Sequence, residues 1–251
     1  MTIDPIALEI GPIAIRWYGI IMAVALGTAT MLALRLARRE KLDEDHILNL
    51  VLLVAPLSWL GARLYYVIFN WSEYASDPME IFKIWHGGLA IHGGILTAIV
   101  LGYIYIRRFR LDFWQIADLT APCFVLGQAI GRWGNFFNQE AYGYTTNLPW
   151  AMYIAGAYRH PTFLYESIWD LGICLLLLWL GSRTKGPRGR LFLLWLGLYS
   201  VGRFFIEMLR TDSLMLGPLR QAQVISVVIF AASMALLAWR WRKWKKPENI
   251  S

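Results

Sequence analysis

Long apolar stretches, separated by shorter polar connections, run along almost the whole chain. A helix needs about 20 mostly apolar residues to cross a hydrocarbon core of about 30 Å. Seven segments have this length and character: 17–34, 47–69, 87–106, 113–130, 163–181, 191–209 and 222–239. The pattern predicts an all-α, polytopic membrane protein with about seven spans, forming a single integral membrane domain over residues 1–251.

Composition supports a membrane protein over a soluble one. Hydrophobic residues make up 57% of the 251 residues and charged residues 16%, whereas soluble chains average about 45–50% and about 25%. The 13 Trp, 12 Tyr and 12 Phe residues suit a chain with two membrane–water interfaces to anchor. Cys123 and Cys174 lie in apolar stretches and are interpreted as packing residues, so we expect neither a disulfide nor a metal site.

Basic residues collect after the first, third, fifth and seventh segments. Sixteen of the 24 Lys and Arg residues lie there: Arg35, Arg38, Arg39, Lys41, Arg107, Arg108, Arg110, Arg183, Lys185, Arg188, Arg190, Arg240, Arg242, Lys243, Lys245 and Lys246. The positive-inside rule makes that side cytoplasmic, with the N-terminus outside and the C-terminus inside. The net charge of +7 then reflects topology and lipid headgroup contact, and we expect no nucleic-acid partner.

Two connections on the outer side, 70–86 and 133–161, are predicted to be ordered extramembrane elaborations. In the first, Asp77 can cap a helix and Pro78 fits its first position. Apolar bulk follows at Ile81, Phe82, Ile84 and Trp85, which indicates a short interfacial helix. The second is too long for a simple turn, so we expect a small cap with a function.

Ionisable residues inside the spans indicate where the chemistry lies, because such residues are costly in a membrane and usually functional. Under the predicted topology they approach one depth, in the outer half of the bilayer, and Tyr18 begins its span from the same side. We therefore expect a single site there. It would draw on His92, Arg132, Glu166, Asp170, Arg203 and Glu207. Arg63 and Asp118 are interpreted separately, as a structural ion pair.

The motif GRWGNFFNQEAYG, residues 131–143, combines three glycines with four polar residue types. The glycines allow tight turns or close approach to a ligand. Arg132 offers a planar fork that suits a phosphate. Further hydrogen-bonding groups come from Asn135, Asn138 and Glu140. These features favour a ligand site, and the alternative is a well-capped helix end with an interfacial arginine.

The motif GGLAIHGG, residues 87–94, places His92 between two glycine pairs. Small residues let another helix, a water or a lipid headgroup approach the imidazole. A neutral histidine can act as a general base near pH 7. The alternative is a histidine that only makes a hydrogen bond across a helix interface.

Two further stretches carry intramembrane charges. Tyr199, Arg203 and Glu207 are spaced four apart, so they share one helix face. An arginine held by a glutamate makes a rigid anion clamp, and a purely structural ion pair is the alternative. In HPTFLYES, residues 160–167, Tyr165 and Glu166 lie at the entrance of the fifth span. There the alternative is an interfacial tyrosine beside a hydrogen-bonded glutamate.

Taken together, these blocks resemble the prolipoprotein diacylglyceryl transferase family, enzymes of the bacterial cytoplasmic (inner) membrane that lipidate lipoprotein precursors. The resemblance covers nearly the whole chain, with the blocks in the family's order. The matching blocks are IRWYG at 15–19, GGLAIHGG at 87–94, GRWGNFFNQEAYG at 131–143, RHPTFLYE at 159–166 and GRFFIEMLR at 202–210.

The resemblance implies a reaction in which phosphatidylglycerol donates its diacylglyceryl group to the lipobox cysteine of a prolipoprotein signal peptide. A thioether forms, glycerol phosphate leaves, and no metal or soluble cofactor is required. The implied catalytic residues are His92, Arg132 and Arg203, with the active site towards the outer leaflet. The implied substrate-binding residues are Tyr18, Arg132, Asn135, Asn138, Glu140, Gly143, His160, Glu166, Tyr199 and Glu207.

Two other functions use the same residues. A membrane transporter for an anionic lipid or another anion would need polar residues in the inner halves of the spans, which are nearly bare. The chain also shows no internal repeat, although many transporter folds are built from repeats. A non-catalytic receptor or scaffold would leave the glycine-flanked His92 without a purpose.

Overall fold

The computed structural model describes residues 4–11, 13–83 and 87–245. The chain divides into two compact units. The small unit is Leu34–Phe113, and the large unit combines Met1–Ala33 with Trp114–Ser251. The residues expected at the site fall mostly in the large unit, whereas His92 belongs to the small one.

Each of the seven apolar segments contains a long helix in the structure, although the helix of the third segment begins at Ile91, four residues after its predicted start. The helices are α1 (Trp17–Arg39), α2 (Glu44–Phe69), α3 (Trp71–Tyr74), α4 (Ile91–Arg108), α5 (Phe113–Phe137), α6 (Thr162–Arg183), α7 (Arg190–Glu207) and α8 (Gln221–Lys245). A 3-10 helix, Pro78–Phe82, lies between α3 and α4. The helical prediction is confirmed, and α5 extends seven residues beyond its predicted end into the motif at 131–143.

Within the described residues, four helices are long and apolar enough to cross a membrane: α1, α2, α6 and α8. Only 17% of the most apolar window is buried in α1 and in α2, and 11% in α8. Helices that expose so much apolar surface need lipid around them. The structure therefore fits a multi-pass membrane protein, and the count of seven spans stays a prediction.

Three two-stranded antiparallel hairpins interrupt the helical pattern. They pair β1 (Ile6–Ile10) with β2 (Ile13–Arg16), β3 (Met152–Ile154) with β4 (Ala157–Arg159), and β5 (Met215–Leu216) with β6 (Leu219–Arg220). Between β3 and β4, Ala155 and Gly156 both have positive φ, +47° and +83°, as a primed hairpin turn requires. The all-α prediction omitted these hairpins, whose strands are only two to five residues long and so show little alternation.

In the small unit, α2 and α4 pack closely because glycines remove side chains between them. A Cβ atom at Gly93 would lie 2.3 Å from Tyr65 Cβ and 2.5 Å from the Gly61 carbonyl oxygen. The Ala90 N–H donates to the Ala62 carbonyl at 3.0 Å, which fixes the start of α4 against α2. A helix thus approaches closely at Gly93, whereas the predicted approach of a helix, a water or a lipid headgroup to the His92 imidazole stays a prediction.

The large unit has its apolar core between α5 and α6, with α7 packed against both α6 and α8. Buried core residues are Ala121, Val125, Ile173, Cys174 and Leu177. Cys123 and Cys174 are both buried free thiols, as predicted. This packing brings α5, α6 and α7 side by side, which is the arrangement that the charged site needs.

The predicted pairing of Arg63 with Asp118 is wrong. Arg63 is buried, and its guanidinium donates to four carbonyls of the segment before α4. The acceptors and distances are Glu80 at 2.7 Å, Ile81 at 2.9 Å, Gly87 at 2.6 Å and Gly88 at 3.1 Å. These carbonyls satisfy the donors of Arg63, so no carboxylate is required.

Asp118 also has backbone partners. Its carboxylate accepts from the N–H groups of Gly189, Leu191 and Phe192 at 2.7, 2.8 and 3.0 Å. The first N–H groups of α7 have no partner inside the helix, and the positive end of the helix dipole favours an anion there. Asp118 therefore caps α7 from α5.

The predicted short helix of the 70–86 connection is present as the 3-10 helix Pro78–Phe82. Asp77 caps it, since its Oδ1 accepts from the Met79 N–H at 3.1 Å, and Pro78 lies in the first turn. Of the predicted apolar residues, Ile84 and Trp85 lie outside the described part of the chain. The membrane-surface position of this helix stays a prediction.

Candidate active site

The centre of the charged site is the carboxylate of Glu166, on the first turns of α6. Its Oε2 atom lies 2.6 Å from Arg132 Nε of α5, and its Oε1 atom lies 2.5 Å from Arg203 Nη1 of α7. The Glu166 side chain is only 6% exposed. Three neighbouring helices thus converge on one buried carboxylate that holds two guanidinium groups.

The predicted face of α7 is confirmed. Arg203 Nη2 lies 2.7 Å from Glu207 Oε2 one turn later, and one turn earlier Tyr199 accepts a hydrogen bond from Arg132 Nη2 at 3.3 Å. Arg203 therefore has two carboxylate partners, Glu166 and Glu207. These contacts fix the direction in which both guanidinium groups point, as an anion clamp requires.

The sequence analysis missed Arg210, a third arginine of this cluster. Its Nη1 atom lies 3.6 Å from Glu166 Oε1 and its Nε atom 3.9 Å from Glu207 Oε2. Asp212 holds the outer edge of Arg210 through two hydrogen bonds. A signal was present, because Arg210 ends the GRFFIEMLR block three residues after Glu207.

Asp170 also belongs to this region, as its depth in the fifth segment predicted. It lies one turn after Glu166 on α6, is 1% exposed, and interacts electrostatically with Arg132, Glu166 and Arg203. Its Oδ2 atom has no hydrogen-bond partner within the ranges that the structure describes. The cluster therefore contains a buried carboxyl oxygen that is available to another polar group.

Asn135, Asn138 and Glu140 form a second polar group beyond the cluster. Both asparagine amides donate to Glu140 Oε1, at 2.9 Å and 3.2 Å. Tyr18 of α1 lies against Gly134, where a Cβ atom would be 2.7 Å from the tyrosine ring. Gly134 is thus a helix residue that admits an aromatic ring, and the predicted approach of a ligand to this motif stays a prediction.

Gly143 and His160 meet through their backbones. The Gly143 N–H donates to the His160 carbonyl at 3.0 Å, and a Cβ atom at Gly143 would lie 2.8 Å from the Leu209 carbonyl oxygen. The His160 ring lies 3.3 Å from the Tyr165 hydroxyl, which also accepts from Trp150 Nε1 at 2.8 Å. His160 therefore joins an aromatic group of its own at the entrance of α6.

His92 lies in the first turn of α4, and its side chain is exposed in the small unit. Its ring lies beside that of Tyr65, with ring centroids 6.3 Å apart. Before it, Gly87 and Gly88 have φ values of +90° and +73° and direct their carbonyls to Arg63. The first glycine pair thus supplies carbonyl acceptors for Arg63, and the second pair allows the close contact with α2. The imidazole itself is exposed.

An apolar cavity of about 470 Å³ lies in the large unit, among α1, α5 and α6. Its walls include Trp17, Ile20, Val24, Leu126, Ile130, Trp133, Phe137, Ser167 and Leu171. Ile130 and Trp133 lie near Arg132 on α5, and Ser167 follows Glu166 on α6. Apolar space large enough for hydrocarbon thus adjoins helices that carry the charged cluster.

The fold and the site define a helical membrane protein with an internal guanidinium–carboxylate cluster. Residues 5–239 match the sequence profile of the family described as prolipoprotein diacylglyceryl transferase. The chain belongs to this family.

Relatives named phosphatidylglycerol–prolipoprotein diacylglyceryl transferase align over almost their whole lengths. The Clostridioides difficile (strain 630) protein is 50% identical, covering 99% of both chains. The Nostoc sp. (strain PCC 7120) protein is 49% identical over 98% of this chain and 93% of its own. The Listeria monocytogenes (serotype 4b, strain CLIP80459) protein is 45% identical over 98% of this chain and 92% of its own.

Proposed function

We propose that this protein transfers the diacylglyceryl group of phosphatidylglycerol to the lipobox cysteine thiol of prolipoproteins. The thiol sulfur forms a thioether with the glyceryl carbon, the carbon–oxygen bond to the phosphate breaks, and glycerol phosphate leaves. Family membership supports this activity, because the relatives are named for this donor and acceptor. The single observation that carries it is the pair of guanidinium groups, on Arg132 and Arg203, held by the buried Glu166.

The two guanidinium groups suit a phosphate ester leaving group. Negative charge develops on the phosphate oxygen as the carbon–oxygen bond breaks, and fixed cations in a water-poor site stabilise that charge strongly. Arg132 and Arg203 lie on different helices yet share one carboxylate, so their positions are set before substrate binds. Glu166 and Glu207 orient these cations.

The acceptor thiol needs a base, because a free cysteine has a pKa of about 8.5 and the thiolate is the nucleophile. His92 is the proposed base. Its imidazole is exposed in the small unit and can take the thiol proton, which passes on to solvent or to the released phosphate. The exposed ring and its fixed entry loop support this role.

Headgroup recognition is assigned to the polar groups around the cluster. Asn135 and Asn138 each keep an amide oxygen free of their bond to Glu140 and can meet the glycerol hydroxyls. Tyr18 and Tyr199 offer hydroxyls beside Arg132. Gly143 and His160 act through the backbone that shapes the cap.

The membrane placement completes the proposal. The chain crosses the bacterial cytoplasmic membrane seven times, with its N-terminus outside, its C-terminus inside and the active site towards the outer leaflet. The basic connections support this orientation. Transport of an anionic lipid or another anion, the alternative function, is not favoured, because the relatives carry a transferase name.

Purified protein in nanodiscs tests the activity directly. With phosphatidylglycerol and a lipobox peptide, we expect one glycerol phosphate released for each peptide that gains a diacylglyceryl mass. A matched peptide with serine in place of the lipobox cysteine should gain nothing. Glycerol phosphate release without peptide modification would contradict the transfer reaction.

His92→Ala tests the base. We expect transfer to fall below about a tenth of the wild-type rate, a barrier increase of about 1.4 kcal/mol or more. His46→Ala, another histidine of the small unit, which contacts the Tyr105 hydroxyl, is the matched control and should keep most activity. More than about a tenth of the wild-type rate in folded His92→Ala would exclude the base role.

A further inference from the structure

Arg210 has a different outer partner from the other two arginines of the cluster. Its Nε and Nη2 atoms donate to the two carboxylate oxygens of Asp212, at 2.9 Å and 2.7 Å. Its Nη1 atom faces Glu166 Oε1 at 3.6 Å. Arg210 therefore directs one nitrogen to the buried cluster and its two-nitrogen edge to Asp212.

The backbone around Arg210 is fixed. The Arg210 N–H donates to the Glu207 carbonyl at 3.2 Å, and the neighbouring Leu209 carbonyl accepts from the Tyr144 N–H at 2.9 Å. The guanidinium of Arg220 donates to the carbonyls of both Glu207 and Arg210. A change of partner at Arg210 would therefore need side-chain movement only.

Asp212 is an exchangeable partner. Its side chain is 49% exposed, whereas that of Arg210 is 11% exposed. Ion pairs that involve solvent-exposed groups contribute little to stability. Partial burial works against ionisation, but the hydrogen bond and the charge of Arg210 lower the pKa of Asp212 below its ordinary value. A charged carboxylate thus occupies the fork of Arg210 and can rotate into solvent.

We propose that Asp212 occupies the place of a phosphate group, and that Arg210 releases Asp212 to bind a phosphate of the substrate or product. A guanidinium fork binds carboxylates and phosphates with the same bidentate geometry. A phosphodiester carries one negative charge, so the exchange leaves the formal charge of the cluster unchanged. This inference rests on the proposed function, since that reaction handles a lipid phosphodiester and releases a phosphomonoester.

Asp212→Asn tests the exchange, because it removes the competing charge and keeps the shape. We expect binding to tighten about threefold or more, the scale of an exposed ion pair. A lower KM for phosphatidylglycerol identifies the lipid phosphodiester as the ligand of Arg210. A lower inhibition constant for added glycerol phosphate, with KM unchanged, identifies the leaving group.

A second readout does not depend on turnover. A ligand that binds only the folded state raises the unfolding temperature. Inorganic phosphate, compared with chloride at equal ionic strength, should stabilise Asp212→Asn in detergent more than the wild type. Arg210→Lys, which lacks the fork, should lose about threefold or more of the phosphate affinity. Asp77→Asn, an exposed aspartate of the small unit, makes the same charge change and should respond as the wild type does.

The outcomes separate this inference from the proposed function. The exchange would be overturned if the wild type is active and Asp212→Asn has an unchanged KM, an unchanged inhibition by glycerol phosphate and an unchanged response to phosphate. That result would leave the proposed transferase activity intact. The proposed transferase activity alone would be overturned if the wild type is inactive and phosphate still raises the unfolding temperature of Asp212→Asn more than that of the wild type. If Asp212→Asn does not fold, Asp212→Ser is read in the same way.

Discussion

Replacing Glu166 by glutamine is the most informative change to the stability of the cluster. The substitution keeps the shape of the side chain but removes the charge that Arg132 and Arg203 share at 2.6 and 2.5 Å. Breaking a buried ion pair by removing one partner costs about 3–5 kcal/mol, because the remaining charge stays buried without compensation. Here two guanidinium groups lose that partner, so we expect the loss to reach the upper part of this range.

The chain supplies its own reporter for the measurement. Its two cysteines, Cys123 and Cys174, are 5% and 2% exposed, so a thiol-reactive fluorophore labels them when the large unit opens. For a chain of this length, about 2–4 °C corresponds to 1 kcal/mol. We therefore expect the labelling midpoint of Glu166→Gln to fall by about 8–20 °C.

Glu44→Gln is the matched control. Arg38 Nε lies 2.6 Å from Glu44 Oε1, a distance like those in the cluster, but the two side chains are 67% and 34% exposed. Exposed pairs contribute little, so the midpoint should stay near that of the wild type. Equal midpoints for Glu166→Gln and the wild type would show that the buried carboxylate does not hold the arginines.

Three further predictions concern packing, capping and topology. Gly93→Ala should destabilise the protein by about 1–3 kcal/mol in thermal unfolding, because its Cβ atom would meet Tyr65 and Gly61. Gly102→Ala, with open space around it, should be neutral or stabilising, and equal losses at both glycines would refute the contact. Asp118→Asn should lower the unfolding free energy by about 1–2 kcal/mol, because Asp118 caps α7. The KM for phosphatidylglycerol should stay unchanged, and an unaltered unfolding midpoint would exclude the cap. Reporter fusions placed after Arg39, Arg108, Lys185 and Lys243 should all indicate the cytoplasm. An outside signal at two or more of these sites would overturn the topology.

The sequence predicted those parts of the site that follow from local spacing. Residues four apart on α7 share a face in any helix, so the alignment of Tyr199, Arg203 and Glu207 needed no knowledge of the tertiary structure. The apolar segments likewise located all seven long helices. The glycines of the 131–143 motif were expected to admit a ligand, and at Gly134 the group that approaches is Tyr18 of another helix.

The parts that the sequence could not predict depend on tertiary packing and on backbone partners. Nothing in the spacing shows that Glu166 of α6 lies between arginines of α5 and α7. Arg63 and Asp118 looked like a pair because their charges are opposite, yet both bind backbone groups that every residue carries. Arg210 follows the end of α7, so the helical spacing that revealed Arg203 and Glu207 did not reveal its role.

The central claim is that the guanidinium forks held by Glu166 bind the phosphate of the lipid. Lysine variants test it most directly, because an ammonium keeps the charge but binds as a point charge. The measurement is the transfer rate and phosphatidylglycerol affinity, in nanodiscs, of Arg132→Lys, Arg203→Lys and Glu207→Gln. We expect both lysine variants to lose transfer, and Arg132→Lys to weaken lipid binding more than peptide binding. Near-normal rates in both lysine variants would contradict the clamp and leave Arg203 as a structural partner of Glu166 and Glu207.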